Sequence, residues 1–439
     1  MSDTQPLKVA LLGAGVVGTH VARILIDQRD SLAERIGRRL ELVGIGVRRA
    51  DVTRPGIDAS LITTDLEGLV RRDDLDLVVE VIGGIEPARS LIMAALSRGA
   101  SVVTANKALL ADHLAELSQT AAANGCDLLY EAAVAGAIPI VRPLRESLVG
   151  DEITAVMGIV NGTTNYILDK MATDGLDFDV ALSQAQELGF AEADPTADVE
   201  GYDAAAKAAI LAGLAFHTSV TLDQVATEGL TQVTKQDIEA AEQLGFVVKL
   251  LAIAKLTDEP RPRIVVKVHP AMVPVKHPLA GVAGAYNAVF VESREAGQLM
   301  FLGQGAGGAP TASAVMGDVV TAARNAHRGT ASHLQATHRA LPIAPIGDSV
   351  ARFYLRFDVA DRVGVLARVA DTFGRHGVSL QTVNQTYAEP TEDASEFGAR
   401  LGVMTRGATE SGVQAVVAEL RDSPFVADSV RVLRVEGYA

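Results

Sequence analysis

The strongest candidate for chemistry in this sequence is a lysine placed within an apolar, helix-forming segment. Residues 204–216, AAAKAAILAGLAF, have the composition of a helix, and Lys207 is their only charged residue. Asp203 precedes Lys207 by four residues, so a helix places both side chains on one face. Burial lowers the pKa of a lysine while a nearby carboxylate raises it, and a lysine so balanced can exchange protons. The alternative is an ordinary surface ion pair worth about 0.3–0.5 kcal/mol.

A run of polar residues upstream is suited to binding. The predicted strand Ile153–Val160 ends in NGTTN, residues 161–165, at the start of a predicted helix. Amide and hydroxyl groups at a helix N-terminus suit a carboxylate ligand. Helix capping alone accounts for one or two of these four polar side chains. The segment therefore predicts a substrate loop.

A second lysine and a lone acid lie nearer the N-terminus. Lys107 follows the predicted strand Ser101–Thr104, at the sheet edge where ligands bind, although its position fits a solvated lysine as well. Glu131 is the lone acid of an apolar stretch and precedes a turn of glycine and alanine. Carbonyl oxygens of such a turn can hold a hard cation. The residues alone favour the simpler interpretation, in which Glu131 caps the next helix.

These groups need a scaffold, and the N-terminal sequence predicts one that binds a dinucleotide. The predicted strand Lys8–Leu12 leads into GAGVVG and then into a helical run. The G-x-G-x-x-G spacing allows a tight turn, close approach of a pyrophosphate and close packing of helix on strand. The alternative is a purely structural turn. The residues of this glycine turn are Gly13, Ala14, Gly15, Val16, Val17 and Gly18.

The end of the second predicted strand, Leu40–Val47, bears on the choice of cofactor. An acid at this point binds the ribose 2′-hydroxyl of NAD, whereas here Arg48 and Arg49 follow Val47. Two arginines suit a 2′-phosphate. The sequence therefore favours NADP, with NAD still possible because Asp51 is close by.

The rest of the chain predicts further alternation of strands and helices. A strand at Leu75–Ile82 continues the pattern of a doubly wound parallel sheet. Apolar residues at helical spacing predict a helix that extends through Lys235–Leu256, and Arg263–Val268 is predicted to be a strand. A predicted hairpin over Phe290–Leu302 leads to a glycine-rich turn and a helix that returns to the cofactor domain. The apolar positions behind the Lys235–Leu256 prediction are Phe246, Val247, Leu250, Leu251 and Ile253.

Composition excludes several classes of function. The net charge of −15 and the pI of about 5.1 argue against nucleic acid or an anionic membrane surface as a partner. Cys126 is the single cysteine, which fits a reducing compartment. The N-terminus has no apolar signal region and the chain has no run of 18 apolar residues. We therefore expect a cytoplasmic protein without a membrane partner.

The ordered set of motifs resembles the homoserine dehydrogenase family. GAGVVG, TANKALL, YEAAVAGAIPI, GIVNGTTNYIL and GFAEADPTADVEGYDAAAK occur in the family's order over residues 8 to about 330. The resemblance implies an NAD(P)-dependent interconversion of L-homoserine and L-aspartate 4-semialdehyde, in the pathway to threonine, methionine and isoleucine. The fold it implies is α/β, with a Rossmann-type doubly wound parallel sheet and an α+β domain for substrate binding and oligomerisation.

The resemblance also implies roles for individual residues. Lys207 is the implied proton donor and acceptor, with Lys107 beside it in the active site. Glu192 and Asp203 are implied to bind the amino group and the hydroxyl end of the substrate. The remaining implied substrate residues are Asn161, Gly162, Thr163 and Tyr130; the remaining implied cofactor residues are Thr104, Asn106, Gly305 and Gly307; and the implied site for a monovalent cation such as Na⁺ consists of Glu131 with the carbonyls of Val134, Gly136 and Ile138.

The C-terminal sequence resembles an ACT domain. DRVGVLARVADTFGRHGVSL lies within a predicted βαββαβ, ferredoxin-like order of elements, which gives an antiparallel sheet with two helices on one face. The resemblance implies an effector site at the turn of Asp361, Gly364, Val365 and Leu366, with threonine as the expected inhibitor. The alternative is a dimerisation module without a ligand.

These patterns predict a division of the chain and an assembly. The expected domains are 1–134 for the cofactor, with a return helix at 310–327, 135–309 for substrate and dimerisation, and 350–439 for ACT. Residues 328–349 are the expected linker, in which the histidines form no metal-ligand pattern. We expect a homodimer or homotetramer. Two other functions remain possible from sequence: a related amino-acid dehydrogenase, such as an aspartate dehydrogenase, and a nucleotide-sensing regulator without turnover.

Overall fold

The computed structural model describes residues 5–332, 340–387, 397–427 and 429–437. The N-terminal region forms a parallel six-stranded sheet in the order β3-β2-β1-β4-β5-β6. This is the strand order of a dinucleotide-binding doubly wound fold, as predicted. Its strands are β1 Leu7–Leu12, β2 Leu40–Gly46, β3 Ile62–Thr63, β4 Leu77–Glu80, β5 Ser101–Thr104 and β6 Leu128–Leu129; its helices are α1 Val16–Asp27, α2 Arg29–Ile36, α3 Leu66–Val70, α4 Ala88–Ser97 and α5 Lys107–Ala123.

The second sheet has eleven strands and extends through the rest of the chain. Nine of them follow the order β12-β11-β7-β9-β10-β17-β13-β15-β14, while β8 pairs with β10 and β16 pairs with β13. The strands are β7 Ile153–Ile159, β8 Ala226–Thr227, β9 Phe246–Leu256, β10 Ile264–Pro274, β11 Tyr286–Ser293, β12 Gly297–Gln304, β13 Val350–Val359, β14 Leu380–Tyr387, β15 Ala399–Thr405, β16 Ala408–Thr409 and β17 Arg431–Val435.

Over the described residues, eight further helices pack against these sheets. They are α6 Gly162–Thr173, α7 Phe178–Glu187, α8 Thr196–Val199, α9 Tyr202–Phe216, α10 Lys235–Gln243, α11 Gly308–Arg328, α12 Val365–Arg375 and α13 Glu410–Arg421. Within the described ranges, none of the helices combines the length and apolar character that a membrane crossing requires. Helix α11 returns to the six-stranded sheet, where Ala312, Val315 and Val319 share a buried cluster with β1.

One predicted helix is wrong over half of its length. Helix α10 ends at Gln243, and Phe246–Leu256 forms β9, a strand paired on both sides with β7 and β10. Residues on both faces of β9 are buried, so almost every position is apolar. In such a run, helical spacing appears by chance because neither period is interrupted by polar residues.

The C-terminal region has the predicted βαββαβ fold but is not a separate sheet. Its strands lie in the order β17-β13-β15-β14, and α12 and α13 pack on one face around Phe353, Leu355 and Phe373. Strand β17 also pairs in parallel with β10, joining the two domains into one sheet. On the face without helices, Tyr354 and Leu433 belong to the large core of the middle domain. Part of the expected linker, residues 333–339, lies outside the described residues.

Candidate active site

A cleft of about 890 Å³ lies between the carboxyl edge of the six-stranded sheet and the start of two helices, α6 and α9. Loops that follow β4 and β5 form one wall, as expected for a ligand site in an open parallel sheet. Both candidate lysines line the cleft. The predicted site residues found in its lining are Asn106, Lys107, Gly136, Asn161, Gly162, Thr163, Glu192, Asp203, Lys207, Gly305 and Gly307.

Lys207 lies on α9, and its side chain is far more buried than that of Lys107, the other lysine of the cleft. Its Nζ donates to the backbone oxygen of Val160 at 2.6 Å and to Oδ2 of Asp203 at 2.7 Å. Burial lowers the pKa of Lys207, and the nearby Lys107 ammonium lowers it further, while Asp203 opposes both effects. An interior lysine with this balance is equipped to release and recover a proton.

Asp203 is the carboxylate that both lysines share. Oδ1 contacts the ammonium of Lys107 and Oδ2 contacts that of Lys207. Burial would raise the pKa of Asp203, but the two lysines outweigh burial and hold it well below its usual range. Because Lys107 is about half exposed and Lys207 is buried, the cluster presents one accessible cation and one enclosed cation to the cleft.

The sequence around α9 explains how a lysine comes to be enclosed. The helix begins after Gly201, which has φ +82°, and a Cβ atom there would lie 3.3 Å from the Val268 side chain on β10. From Asp203 to Phe216 every residue of α9 is buried. Its many alanines allow close packing against its neighbours, and the buried Lys207 lines the cleft.

Asn161 connects the substrate loop, defined here as residues 161–165, to the lysine cluster. Its Oδ1 accepts from the backbone N–H of Thr164, which caps α6. Its Nδ2 donates to Asp203 at 2.9 Å and to Asp198 at 2.7 Å. The capping interpretation therefore holds for Asn161, and the same side chain also orients the cluster, while the role of this loop in binding substrate stays a prediction.

The other predicted site residues differ in whether they line the cleft and in how deeply they are buried. Glu192 is exposed at the rim of the cleft, and the hydroxyl of Thr163 donates to the backbone oxygen of Phe190. Tyr130 is buried, which raises its pKa to about 12, and is not part of the cleft lining. Thr104 is also buried and donates its hydroxyl to Glu80.

The glycine turn fits a pyrophosphate. A Cβ atom on Gly18 would lie 2.1 Å from the Gly13 carbonyl oxygen, so the turn needs glycine there, while the space around Gly15 is open. The N-terminus of α11 lies against this turn, because a Cβ on Gly308 would be 2.5 Å from Val16. Two helix N-termini thus meet where the phosphates of a dinucleotide would bind.

Arg48 and Arg49 are exposed immediately after β2, whereas Val47 is buried. The adjacent glycine turn is tied to this strand, since the Gly13 N–H donates to the Gly46 carbonyl oxygen. The arginines therefore lie at the strand end where the adenine ribose of a bound dinucleotide is expected.

The carboxylate of Glu131 accepts the backbone N–H groups of Val141 at 2.7 Å and Arg142 at 2.9 Å. It thus caps the start of the next helical segment, and a carboxylate retains lone pairs for a cation. Across the described ranges, no group of three or more histidine, cysteine, aspartate or glutamate side chains could hold a metal ion. A cation here would depend on backbone carbonyls, and within the described residues none of those of Val134, Gly136 and Ile138 accepts a hydrogen bond.

Comparison with known proteins decides the family. Residues 139–320 match the family model for homoserine dehydrogenase and residues 13–131 match that for the homoserine dehydrogenase NAD binding domain. A homoserine dehydrogenase of Corynebacterium glutamicum is 53% identical over 98% of this chain and 95% of its own. This chain belongs to the homoserine dehydrogenase family. It is therefore an oxidoreductase that uses a nicotinamide cofactor, and the regulator without turnover is excluded.

Solved homoserine dehydrogenases share the fold. A structure from Thiobacillus denitrificans has a TM-score of 0.91 at 37% identity and covers 98% of both chains. A hyperthermophilic archaeal homoserine dehydrogenase in complex with NADPH has a TM-score of 0.60 at 27% identity, covering 72% of this chain and 98% of its own. Residues 353–424 match the ACT domain model, as the sequence predicted.

Sequence reasoning about this homoserine dehydrogenase missed two buried polar side chains near the cleft. Asp318 on α11 accepts from the Glu131 N–H and from Arg142, and burial raises its pKa to about 6. Asn287 on β11 lines the cleft with a buried amide. Asp318 gives a signal in sequence, as an acid on the apolar face of a helix, whereas a single asparagine at a strand end gives none.

Proposed function

We propose that this homoserine dehydrogenase interconverts L-homoserine and L-aspartate 4-semialdehyde by hydride transfer, in the pathway to threonine, methionine and isoleucine. The observation that supports the proposal most directly is the Lys207–Asp203–Lys107 cluster in the cleft. In the reducing direction, hydride forms a C–H bond at the aldehyde carbon and the carbonyl electron pair moves to oxygen. A cationic donor within hydrogen-bond reach stabilises that oxygen and protonates it.

Lys207 is the proposed proton donor in reduction and the proton acceptor in alcohol oxidation. Its lowered pKa makes proton release easier than from a solvated lysine. Lys107, exposed on the opposite wall, is the proposed second cation that stabilises developing charge. Asp203 orients both ammonium groups through the two contacts described above.

The proposed substrate contacts match acidic side chains to the ammonium and hydroxyl groups of the substrate, and hydrogen-bond donors to its carboxylate. Glu192 and Asp203 are suited to the ammonium group and the hydroxyl end of an amino-acid substrate. Asn161, Gly162 and Thr163 supply backbone and side-chain donors for its carboxylate at the start of α6. Tyr130 does not line the cleft and is left out of this set.

The proposed cofactor is NADP. The glycine turn would hold the pyrophosphate, Arg48 and Arg49 the 2′-phosphate, and Asn106, Gly305 and Gly307 line the cleft where hydride transfer would occur. The cofactor supplies the hydride. The archaeal relative in complex with NADPH supports this choice.

A monovalent cation such as Na⁺ is proposed at Glu131 and the carbonyls of Val134, Gly136 and Ile138. The support is chemical, since a capping carboxylate retains lone pairs for a cation and backbone carbonyls are oxygen ligands that a hard cation accepts. Gly136 has φ +56°, a backbone conformation that favours glycine at this turn.

We further propose that threonine acts through the ACT domain at Asp361, Gly364, Val365 and Leu366. Gly364 has φ +91° at the start of α12, and Leu366 is half exposed beside it. Exposed β14 at one end of the long sheet supports assembly into a dimer or tetramer. The proposed domain limits remain 1–134, with return helix 310–327, 135–309 and 350–439, joined by the linker 328–349.

The test is the rate of NADPH oxidation with L-aspartate 4-semialdehyde, repeated with NADH and with threonine added. We expect turnover that is faster with NADPH and falls with threonine. A parallel assay with oxaloacetate and ammonia tests the aspartate dehydrogenase alternative. Turnover only in that parallel assay would overturn the proposed substrate, and equal rates with NADH would overturn the proposed role of the arginines.

A further inference from the structure

Asn287, at the second position of β11, is a buried amide with no hydrogen bond to any part of the chain that the structure describes. It is 1% exposed and lines the cleft, yet neither Oδ1 nor Nδ2 has a partner. Asn165 in the same domain shows the usual arrangement. Its Nδ2 donates to the backbone oxygens of Val282 and Gly284, and its Oδ1 accepts from Lys249.

The Asn287 amide lies where three loops of the cleft meet. A Cβ atom on Gly305 would lie 1.9 Å from Nδ2, and one on Gly162 of the substrate loop would lie 3.4 Å from Oδ1. Gly305 in turn contacts the cation turn, since a Cβ on Gly136 would be 2.3 Å from the Gly305 carbonyl oxygen. The surrounding backbone is therefore shaped around this side chain.

Packing alone does not require an amide at this position. Leucine has nearly the same shape, and a buried polar group without a partner destabilises the folded state. Because Asn287 lines the cleft, a molecule that occupies the cleft is the candidate source of the missing donor and acceptor. Such a molecule must offer one acceptor to Nδ2 and one donor to Oδ1.

We propose that Asn287 binds the carboxamide of the cofactor's nicotinamide ring. A carboxamide carries a donor and an acceptor on one carbon, so two carboxamides pair through reciprocal N–H···O hydrogen bonds. The carboxylate of an amino-acid substrate only accepts and its ammonium only donates, so neither satisfies both atoms, and its hydroxyl end is proposed above to lie at Asp203. The Gly305 side of Asn287 also leads directly into α11, which packs on the cofactor sheet.

The pairing has a consequence for the ring. Both amide atoms are shielded from solvent, so the pairing requires the Gly305 turn, which lies against Nδ2, to move aside. Because the carboxamide projects from one edge of the ring, the contact fixes the rotation of the nicotinamide in the cleft. Asn287 is thereby a cofactor-binding residue that selects which ring face is turned toward the substrate.

The inference rests on the proposed function, in that the cofactor must occupy this cleft. Calorimetric titration of NADP⁺ and of 3-acetylpyridine adenine dinucleotide phosphate, which lacks the carboxamide nitrogen, tests the two separately. We expect wild type to bind NADP⁺ about tenfold more tightly than the analogue, and Asn287→Leu to bind both with the analogue's affinity. A full discrimination retained in Asn287→Leu would overturn the inference and leave the proposed function intact, whereas wild type that binds neither dinucleotide would overturn both.

The melting temperature of the protein without ligand separates binding from a structural role. Asn287→Leu removes unpaired polar atoms, so we expect a melting temperature equal to or above that of wild type. Asn165→Leu, the matched control, removes a paired amide and should lower it by several degrees. A loss in Asn287→Leu as large as in the control would show a structural amide and overturn the inference. Asn287→Ala serves as a second variant, in which lost discrimination between the dinucleotides is again expected.

Discussion

Two regions of this homoserine dehydrogenase bury charged side chains, and they do so with opposite arrangements. In the cleft, Lys207 and Lys107 share the carboxylate of Asp203, so cations outnumber the acid that contacts them. At the junction between β10 and β17, Glu436 lies 2.6 Å from Lys267 and 3.6 Å from His269. Both regions contain buried lysines and carboxylates, but the ratio of acids to cations and the access to solvent differ.

The junction is completed by a second group of ions in which acids are in excess. Arg434 on β17 contacts both Glu410 at 2.7 Å and Glu228 at 2.6 Å. The pKa of Glu436 is about 2, because Lys267 and His269 outweigh the burial that would raise it. Across the junction three carboxylates contact the two permanent cations Lys267 and Arg434, whereas in the cleft two lysines share one carboxylate.

The comparison shows that burial of a lysine does not by itself indicate catalysis. Lys207 and Lys267 are both buried lysines bonded to a carboxylate. What distinguishes Lys207 is a second cation competing for the same acid, in a cleft open to ligands. We therefore expect substitutions in the cleft to change turnover and substitutions at the junction to change stability.

Replacing Lys207 should have the largest effect. Lys207→Ala removes the proposed proton donor, so kcat should fall by about 10³-fold while cofactor affinity is retained. Steady-state assays in both directions and calorimetric titration with NADPH measure the two quantities. Lys170→Ala is the matched control, because Lys170 also pairs with an aspartate four residues away, but at the exposed surface. An unchanged kcat in Lys207→Ala would remove the distinction drawn between the two regions.

Asp203→Asn should have the next largest effect on turnover. The substitution keeps the shape but leaves two ammonium groups without their shared carboxylate, which lowers the pKa of Lys207 further. We expect kcat for aldehyde reduction to fall by about 10- to 100-fold, and the decline of the rate at high pH to begin at a lower pH. A pH–rate profile identical to that of wild type would show that Asp203 does not control Lys207.

Glu436→Gln should lower stability without changing kcat. Breaking a buried ion pair costs about 3 kcal/mol of the free energy of unfolding near neutral pH. Because the folded pKa of Glu436 is lowered to about 2, its stabilising contribution is complete above the unfolded value near 4.5. The difference between wild type and variant should therefore shrink as the pH falls from 4.5 toward 2, as measured by urea denaturation.

A double substitution at the junction should lower the free energy of unfolding less than Glu436→Gln does. Lys267→Met with Glu436→Leu removes both charges and leaves apolar side chains of similar volume. Replacing a buried ion pair in this way is often neutral for stability. We expect the double variant to lie within about 1 kcal/mol of wild type. A loss as large as that of Glu436→Gln alone would mean that the junction requires its charges.

Sequence reasoning reached the groups that local patterns reveal. Lys207 and Asp203 were predictable because both lie on one helix, and the substrate loop because it follows a strand directly. The fold of each domain was likewise predictable from alternating elements and the glycine turn. The helix predicted through Leu256 failed because β9 is buried on both faces and shows no period.

The junction was beyond such reasoning for a different reason. Lys267 and Glu436 lie in segments separated by 169 residues, and nothing in either segment indicates the other. The pairing of β17 with β10 depends on how two domains dock. Asn287 is similar, because only the three-dimensional structure shows that its amide has no partner among the described residues.

The strand β17 also imposes an order on how the molecule is made. Ala271 and Met272 of β10 are synthesised well before Arg434 and Val435, the residues with which they pair. Until that last strand leaves the ribosome, this stretch of β10 is an unpaired sheet edge, the kind of surface that other chains can join. Completion of the ACT domain therefore also covers this edge of β10.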